Sequence, residues 1–255
     1  MSLYLNWLKN KISKKRPGSI VSCGNYRLRI NDGPNFFILY KDIFLRRIYH
    51  FQAQRATPLV LDCGANIGVS ILYFKYIYPG ARIIGFEPDP RIFPYLEENL
   101  KRNNLKDVRI IQAALDEQEG KITFYSDAKF QGTLAKYACE KTREECNRYE
   151  VDSTRLRDYL TEPVDFLKMN IEGAEWQVLL DSADRLRHIR EMVVEYHHLP
   201  GLTPTLHNIL ELLDQEGFSY LINDFDAQTN LDTQPPFKLH RDTKYYLLIY
   251  AKRRD

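Results

Sequence analysis

The chain holds only four cysteines in 255 residues (Cys23, Cys63, Cys139 and Cys146). None forms a Cys-x-x-Cys pair or a Cys/His spacing that suits zinc. That excludes a disulfide framework and a structural zinc module, and the expected setting is a reducing cytoplasm. Long apolar runs are missing too: no window approaches the ~18 uninterrupted apolar residues of a membrane span. The N-terminus lacks the apolar core and small-residue cleavage site of a secretory signal. Neither charge sign is in excess, because Lys+Arg 36 against Asp+Glu 34 leaves a net charge of +2. Nucleic acid is therefore not an expected partner, since binding it needs a basic surplus. Internal repeats and low-complexity tracts are also absent. What is present, 44% hydrophobic and 27% charged residues, is a globular composition. The length suits one α/β domain with embellishments.

Residues 1–19 stand apart as a basic segment ending in Pro17-Gly18. Leu3 and Trp7, and Tyr4, Leu8 and Ile12, recur at helical spacing. Lys9, Lys11, Lys14, Lys15 and Arg16 add five positive charges without an acid among residues 1–16. Two readings are open: an amphipathic helix in weak peripheral contact with an anionic membrane, or a stripe packed on the core or on a second subunit in a homo-oligomer. An extension over 20–57 follows. There Tyr26–Ile30 and Phe36–Tyr40 flank the turn-forming Asn31-Asp32-Gly33-Pro34-Asn35 and predict a hairpin, and 42–53 predicts a helix.

From 58 to 255 short apolar runs alternate with amphipathic stretches. The runs are Leu59–Cys63, Arg82–Phe86, Val108–Ala114, Val164–Met169, Glu191–Glu195, Phe218–Ile222 and Tyr245–Ala251. Phe93, Leu96 and Leu100 mark one helix, with Asp89-Pro90 as its expected cap and first residue. Trp176, Leu179, Leu180, Ala183 and Leu186 mark a second. Thr203-Pro204 opens a third and Gly217 closes it. Strands separated by helices predict a parallel sheet covered on both faces. The last two runs, lacking a crossover helix, predict an antiparallel terminal hairpin with 223–243 as its loop. Ile122–Tyr125 and Arg148–Ser153 predict an inserted hairpin.

Ligands of such sheets bind beyond the carboxyl ends of the strands. After the first run stands Asp62-Cys63-Gly64-Ala65-Asn66-Ile67-Gly68. Its glycines allow a tight turn, and the helix behind them favours an anionic group. Asn66 occupies the place where a dinucleotide site would carry its middle glycine. Asp62 would repel a pyrophosphate but suits an ammonium. Glu87, 23 residues after Gly64 and at the end of the second run, suits two ribose hydroxyls. A ligand with an amino-acid end and a nucleoside end is S-adenosylmethionine. The alternative is an ordinary βαβ turn.

The segments LDCGANIGVSILYF, IIGFEPDPRIFPYLEENLKRNN, AALDEQEGKITFY and DFLKMNIEGAEWQVL resemble the FkbM-type methyltransferase family, in its order and roughly its spacing, over about residues 40–200. The resemblance implies a class I, Rossmann-like methyltransferase fold with a seven-stranded, mostly parallel sheet. It implies S-adenosylmethionine as cofactor and usually O-methylation of hydroxyls on sugars or secondary metabolites, so the expected partner is a small-molecule or glycan acceptor. By the same resemblance Asp62, Gly64, Ala65, Asn66 and Gly68 would cradle the methionine part, Glu87 the ribose, and Ala113-Ala114-Leu115-Asp116 would lie along adenine. Asn170 replaces an Asp common in the family and would face the cofactor or a substrate hydroxyl.

Methyl transfer to a poor nucleophile calls for a general base or a metal. The titratable groups after the fourth and fifth runs are Glu172, Glu175, Glu195, His197 and His198. Glu172, Glu195 and His197 are the candidate catalytic residues. Glu172 is alternatively a helix N-terminal acid, and so is Glu175. Glu195 on a buried strand is either functional or paired. The histidines are alternatively loop residues. Lys168 is placed to bond a carboxylate across the site. Asn170, Glu172, Glu195 and His197 could together ligate a metal, a minority reading. Two rival functions are a non-catalytic cofactor-binding scaffold, in which Asn170 marks decayed chemistry, and an NAD-dependent oxidoreductase.

Overall fold

A computed structural model describes residues 3–127, 132–134, 146–199, 202–223 and 245–254, with side chains from residue 8 onward. The basic segment forms helix α1 (Leu3–Ser13), which packs on the extension that follows and buries Ile12. Strands β1 (Ile20–Cys23) and β2 (Tyr26–Arg29) then pair antiparallel around Gly24, whose φ of 58° lies in the left-handed region. This corrects the hairpin expected across residues 31–35. Asp32-Gly33-Pro34 caps a helix instead, α2 (Gly33–Tyr40). The Asp32 carboxylate accepts from Asn35 N at 2.7 Å, and Pro34 sits in the first turn, where its missing N–H costs nothing. Gly33 is required there because a Cβ would lie 2.6 Å from the Ile12 carbonyl oxygen. The helix expected over 42–53 is likewise shorter: α2 runs into a π-helical turn at Lys41–Leu45 and stops. Arg47 beyond it has a positive φ.

The main sheet comprises β3 (Leu59–Cys63), β4 (Arg82–Phe86), β5 (Val108–Ile111), β10 (Val164–Met169), β11 (Ile189–His198), β12 (Phe218–Asn223) and β13 (Tyr245–Arg253). Its order is β12-β13-β11-β10-β3-β4-β5, parallel from β11 to β5, with β13 antiparallel to both its neighbours. The terminal hairpin is therefore present, and β13 inserts between β11 and β12. The inserted hairpin is present and larger than expected. β6 (Ala114–Leu115), β7 (Gly120–Ser126), β8 (Gly132–Leu134) and β9 (Asn147–Thr154) form a second sheet in the order β6-β9-β7-β8. Cys139, most of 126–150 and the 223–243 loop beyond Asn223 lie outside the described residues.

Helices α3 (Val69–Ile77), α4 (Phe93–Arg102), α5 (Glu175–Asp181) and α6 (Leu206–Gln215) cover the sheet. One cap and one helix end differ from expectation. The Asp89 carboxylate is drawn to Arg91 and Ser126, so α4 starts only at Phe93, with Pro94 in its first turn. α5 ends at Asp181, is capped by Ser182 and continues as a 3₁₀ turn over Ala183–His188.

Strand alternation divides the core. Leu59, Leu61, Cys63, Leu167 and Met169 pack on one face with α5, α6 and the second sheet. Val60, Phe166 and Val193 pack on the other with α3, α4 and the extension, where Phe51 stacks on Phe166 at 4.5 Å. Residues 12–51 thus share a core with the sheet rather than hanging from it. Their placement lays α1, α2 and the π turn over the carboxyl ends of β3, β10 and β11.

Candidate functional site

A cavity of about 760 Å³ opens at those strand ends. Its floor is the turn after β3, where Gly64, Asn66 and Gly68 all have positive φ (89°, 49° and 93°). Gly64 N and Ala65 N donate to Phe86 O at 3.0 and 2.8 Å, which fixes the turn against β4. A Cβ on Gly64 would lie 2.0 Å from the Asn170 carbonyl oxygen, so only glycine fits between the ends of β3 and β10. Gly64, Ala65 and Asn66 line the cavity. Gly68 does not; it caps α3 behind them.

Glu87, at the end of β4, also lines the cavity and is 6% exposed. Its oxygens accept from Asn66 N at 2.8 Å and Asp89 N at 2.9 Å, which leaves each one a lone pair. Burial pushes this carboxyl up to about 7, against the pull of those two N–H groups. Beyond Glu87 the wall is apolar, made of Phe86, Ala113, Ala114, Leu115, Phe124 and Leu134. Asp116 is not part of it: its carboxylate turns back to accept from Glu117 N at 2.9 Å.

Asp62, expected to hold an ammonium, is not among the residues that line the cavity. It is fully buried, with Ser70 Oγ at 2.5 Å and Lys168 Nζ at 3.2 Å. The parallel register pairs Lys168 directly with Asp62 as an ion pair, while Oδ1 of the carboxylate accepts no hydrogen bond. Lys168 does bond a carboxylate across the site, as expected. Its Nζ also donates to the carbonyls of Cys63, at 3.3 Å, and Gly64, so it braces the glycine turn from below.

Opposite Glu87, the ends of β10 and β11 bring together Asn170, Glu172, Glu195 and His197, and all four line the cavity. Glu195 accepts from Tyr49 OH on one oxygen and from Asn170 Nδ2 on the other, at 2.8 Å. Burial raises its carboxyl above the ordinary range; Lys168, Tyr49 and His197 pull it partly back. Tyr49 is itself buried and its phenol is held well above its usual value, so it stays a donor. Asn170 Oδ1 is buried with no hydrogen-bond partner. His197 Nδ1 meets Glu175 Oε1 at 2.9 Å, and its Nε2 lies 3.7 Å from Glu172 Oε2. Burial alone would lower the imidazole, but the carboxylates of Glu172, Glu175 and Glu195 outweigh it and hold it at about 9. The three carboxylates therefore favour the imidazolium form of His197 at neutral pH. Glu172 has a φ of 56° beside Gly173, backbone strain of the kind that persists where surrounding structure enforces it.

Sequence reasoning missed Tyr49, which stands 146 residues from Glu195 in a stretch read as helix, and Ser70, which lies inside α3. Glu175, which the sequence offers among the titratable groups but more readily as a helix acid, meets His197 Nδ1. Only the expectation that Glu195 be functional or paired pointed towards Tyr49. Among the described residues, no group of three or more His, Cys, Asp or Glu side chains is placed to hold a metal ion. No described helix is long and apolar enough to cross a membrane.

Comparison with known proteins places this geometry. Residues 62–220 match the methyltransferase FkbM domain. Methyltransferase sdnD of Sordaria araneosa is 31% identical over 212 residues, covering 71% of this chain and 81% of its own. The 31-O-demethyl-FK506 methyltransferase FkbM of Streptomyces tacrolimicus is 30% identical over 224 residues, covering 74% of this chain and 84% of its own. Among solved structures, TYW2 of P. horikoshii in complex with MeSAdo shares the fold. Its TM-score is 0.51 at 11% identity, over 93% of this chain and 72% of that one.

Proposed function

Because the chain belongs to the FkbM methyltransferase family, its methyl donor is S-adenosylmethionine, and we propose that it methylates a hydroxyl oxygen of a small-molecule or glycan acceptor. The cavity fits the donor. The Gly64–Asn66 turn leaves room for close backbone approach, and Glu87 retains a lone pair on each oxygen for two ribose hydroxyls. The wall of Phe86, Ala113, Ala114 and Leu115 would take the base. Asn170 Oδ1, buried without a partner, needs a donor that an ammonium or a hydroxyl would supply. Bound, the cofactor supplies a methyl group on a sulfonium, an electrophile already activated for in-line displacement.

The chain's own residues then align the acceptor, exclude water and remove a proton. Glu195 is the base of this reading. Among the described residues no Lys or Arg forms an ion pair with it, and burial raises its basicity. Tyr49 and Asn170 Nδ2 fix its orientation. Glu195 would accept the acceptor's O–H proton as that oxygen takes the methyl group, with the carbon–sulfur bond breaking and the donor leaving as a neutral thioether. His197, held charged between Glu172 and Glu175, offsets negative charge gathering beside Glu195. Asn170 in place of the family's Asp follows from the same geometry: a carboxylate within hydrogen-bond reach of Glu195 would repel it. The loss of that acid need not mark decayed chemistry.

The observation that carries the reading is one buried, raised carboxylate sharing a cavity with Glu87 and the glycine turn. The name of the Streptomyces tacrolimicus relative, which specifies an oxygen at position 31, supports oxygen as the acceptor atom. The test is to incubate the protein with carbon-13 methyl-labelled S-adenosylmethionine and metabolite extract, and to read the product by NMR. A methoxy carbon is expected. Label found only on nitrogen or carbon, or no label transferred, would overturn the proposal.

A further inference from the structure

We propose that Lys168 is a positioning residue for methyl transfer, one buried ammonium that holds the donor's glycine turn and stabilises the carboxylate of the base, Glu195. This deepens the methyl-transfer reading and rests on it. Lys168 lines the cavity with only 3% of its side chain exposed. Its Nζ donates to the carbonyls of Cys63 and Gly64 and stands 3.2 Å from Asp62 Oδ1. The turn that would carry the donor is therefore held through its own backbone by this side chain. A neutral amide could brace the same two carbonyls without the cost of burying a charge. A cation adds what an amide lacks, a pull on carboxylates to either side.

The sheet order supplies those carboxylates. β10 lies between β3, which carries Asp62, and β11, which carries Glu195. The register pairs Lys168 with Asp62 on one side and with Val193 on the other, so Glu195 follows two residues on along the same face. Asn170 follows Lys168 by the same step on β10, and its Nδ2 bonds Glu195. Lys168 Nζ also lies 5.7 Å from the centre of the Tyr49 ring, whose hydroxyl bonds Glu195. Among the described residues, the other titratable groups facing Glu195 are Tyr49 from the extension, Glu172 beyond β10, His197 on its own strand and Tyr250 on β13. His197 is shared with Glu172 and Glu175. Of the groups that oppose the effect of burial on Glu195, Lys168 acts most strongly.

The test is Lys168→Met in the full chain, which removes the charge and its donors at similar shape. Because that change strands the buried Asp62, the Asp62→Asn/Lys168→Met double variant, with neither charge, is measured beside it. Carbon-13 NMR of the cofactor-free chain, labelled at the glutamate carboxyls, follows Glu195, whose signal is assigned by its absence in Glu195→Gln. Its titration midpoint should rise by about one pH unit in the folded variant, the lower end of what a nearby opposite charge brings. Calorimetry should show S-adenosylhomocysteine binding about tenfold weaker or more, since charged hydrogen bonds to the turn are lost. A lower melting temperature with both the midpoint and the affinity unchanged would mark a purely structural lysine and overturn the proposal. An unmoved midpoint with weakened binding would likewise overturn the link to Glu195. Either result leaves methyl transfer standing. Failure of the wild-type chain to bind S-adenosylhomocysteine overturns both readings.

Discussion

Glu195→Gln removes the proton acceptor while keeping its shape. Tyr49 OH can still donate to the amide oxygen, and the unpartnered Asn170 Oδ1 can turn to meet the new NH₂ group. The fold should survive, and the sign of the stability change can be worked out. Burial raises the Glu195 carboxyl in the folded chain above its unfolded value. Its contribution to stability is fully present below the unfolded value and is lost as pH rises through the folded one. A neutral glutamine suffers no such loss, so the melting temperature at pH 8 should be unchanged or higher. Catalysis should move the other way. Removing a general base costs about 10²–10⁴ in rate, or roughly 2.7–5.4 kcal/mol of barrier at 1.36 kcal/mol per tenfold. The assay is turnover with labelled S-adenosylmethionine across pH, alongside calorimetry of cofactor binding. The wild-type profile should fall on the acid side as Glu195 takes up a proton. The variant should lose that limb, along with most of its rate, and keep its cofactor affinity. Wild-type turnover with the acid limb intact would refute the assignment.

Glu87→Gln should weaken S-adenosylmethionine by about tenfold or more, because charged hydrogen bonds contribute ~1.5–3 kcal/mol each. In the wild type that affinity should decline as pH falls through about 7, where Glu87 protonates, and the decline should vanish in the variant when both are followed by calorimetry. Gly64→Ala forces a Cβ to 2.0 Å from the Asn170 carbonyl at a positive φ. Strain of ~1–2 kcal/mol from the backbone and ~1–3 from overpacking predicts a melting temperature lower by roughly 4–20 °C at ~2–4 °C per kcal/mol, with loss of cofactor binding. His197 should titrate near 9 by NMR, and the stability it contributes, full below its unfolded value near 6.5, should be lost as pH rises through 9. Titration near 6.5 would remove it from the charged cluster. Asn170→Asp places a second carboxylate beside Glu195 and should move the acid limb of the pH–rate profile to higher pH.

The main sheet was legible because each strand announces itself as a short apolar run between helical patterns. The terminal hairpin was legible because no crossover helix could fit. The extension misled because Asp32-Gly33-Pro34 serves a hairpin turn and a helix start equally well. Contact between Gly33 and the Ile12 carbonyl, which only the folded chain supplies, decides between them. At the site, Gly64 and Glu87 were legible since local spacing carries their roles. Asp62 was read by type and place, but the cross-strand pairing that hands it to Lys168 depends on the register of β3 with β10. Tyr49 and Glu175 escaped for the same reason, as each acts on β11 through tertiary contact. His197 was judged by its ordinary acidity, whereas three carboxylates drawn from two other segments and its own strand reset it.

The most direct test of the central claim is a crystal structure of the chain with S-adenosylhomocysteine. The account predicts the ribose hydroxyls on Glu87, the adenine along Ala113–Leu115, and the sulfur facing Asn170 and Glu195 across the cavity. A nucleoside seated away from Glu87, or a sulfur turned away from the Glu195 cluster, would contradict it.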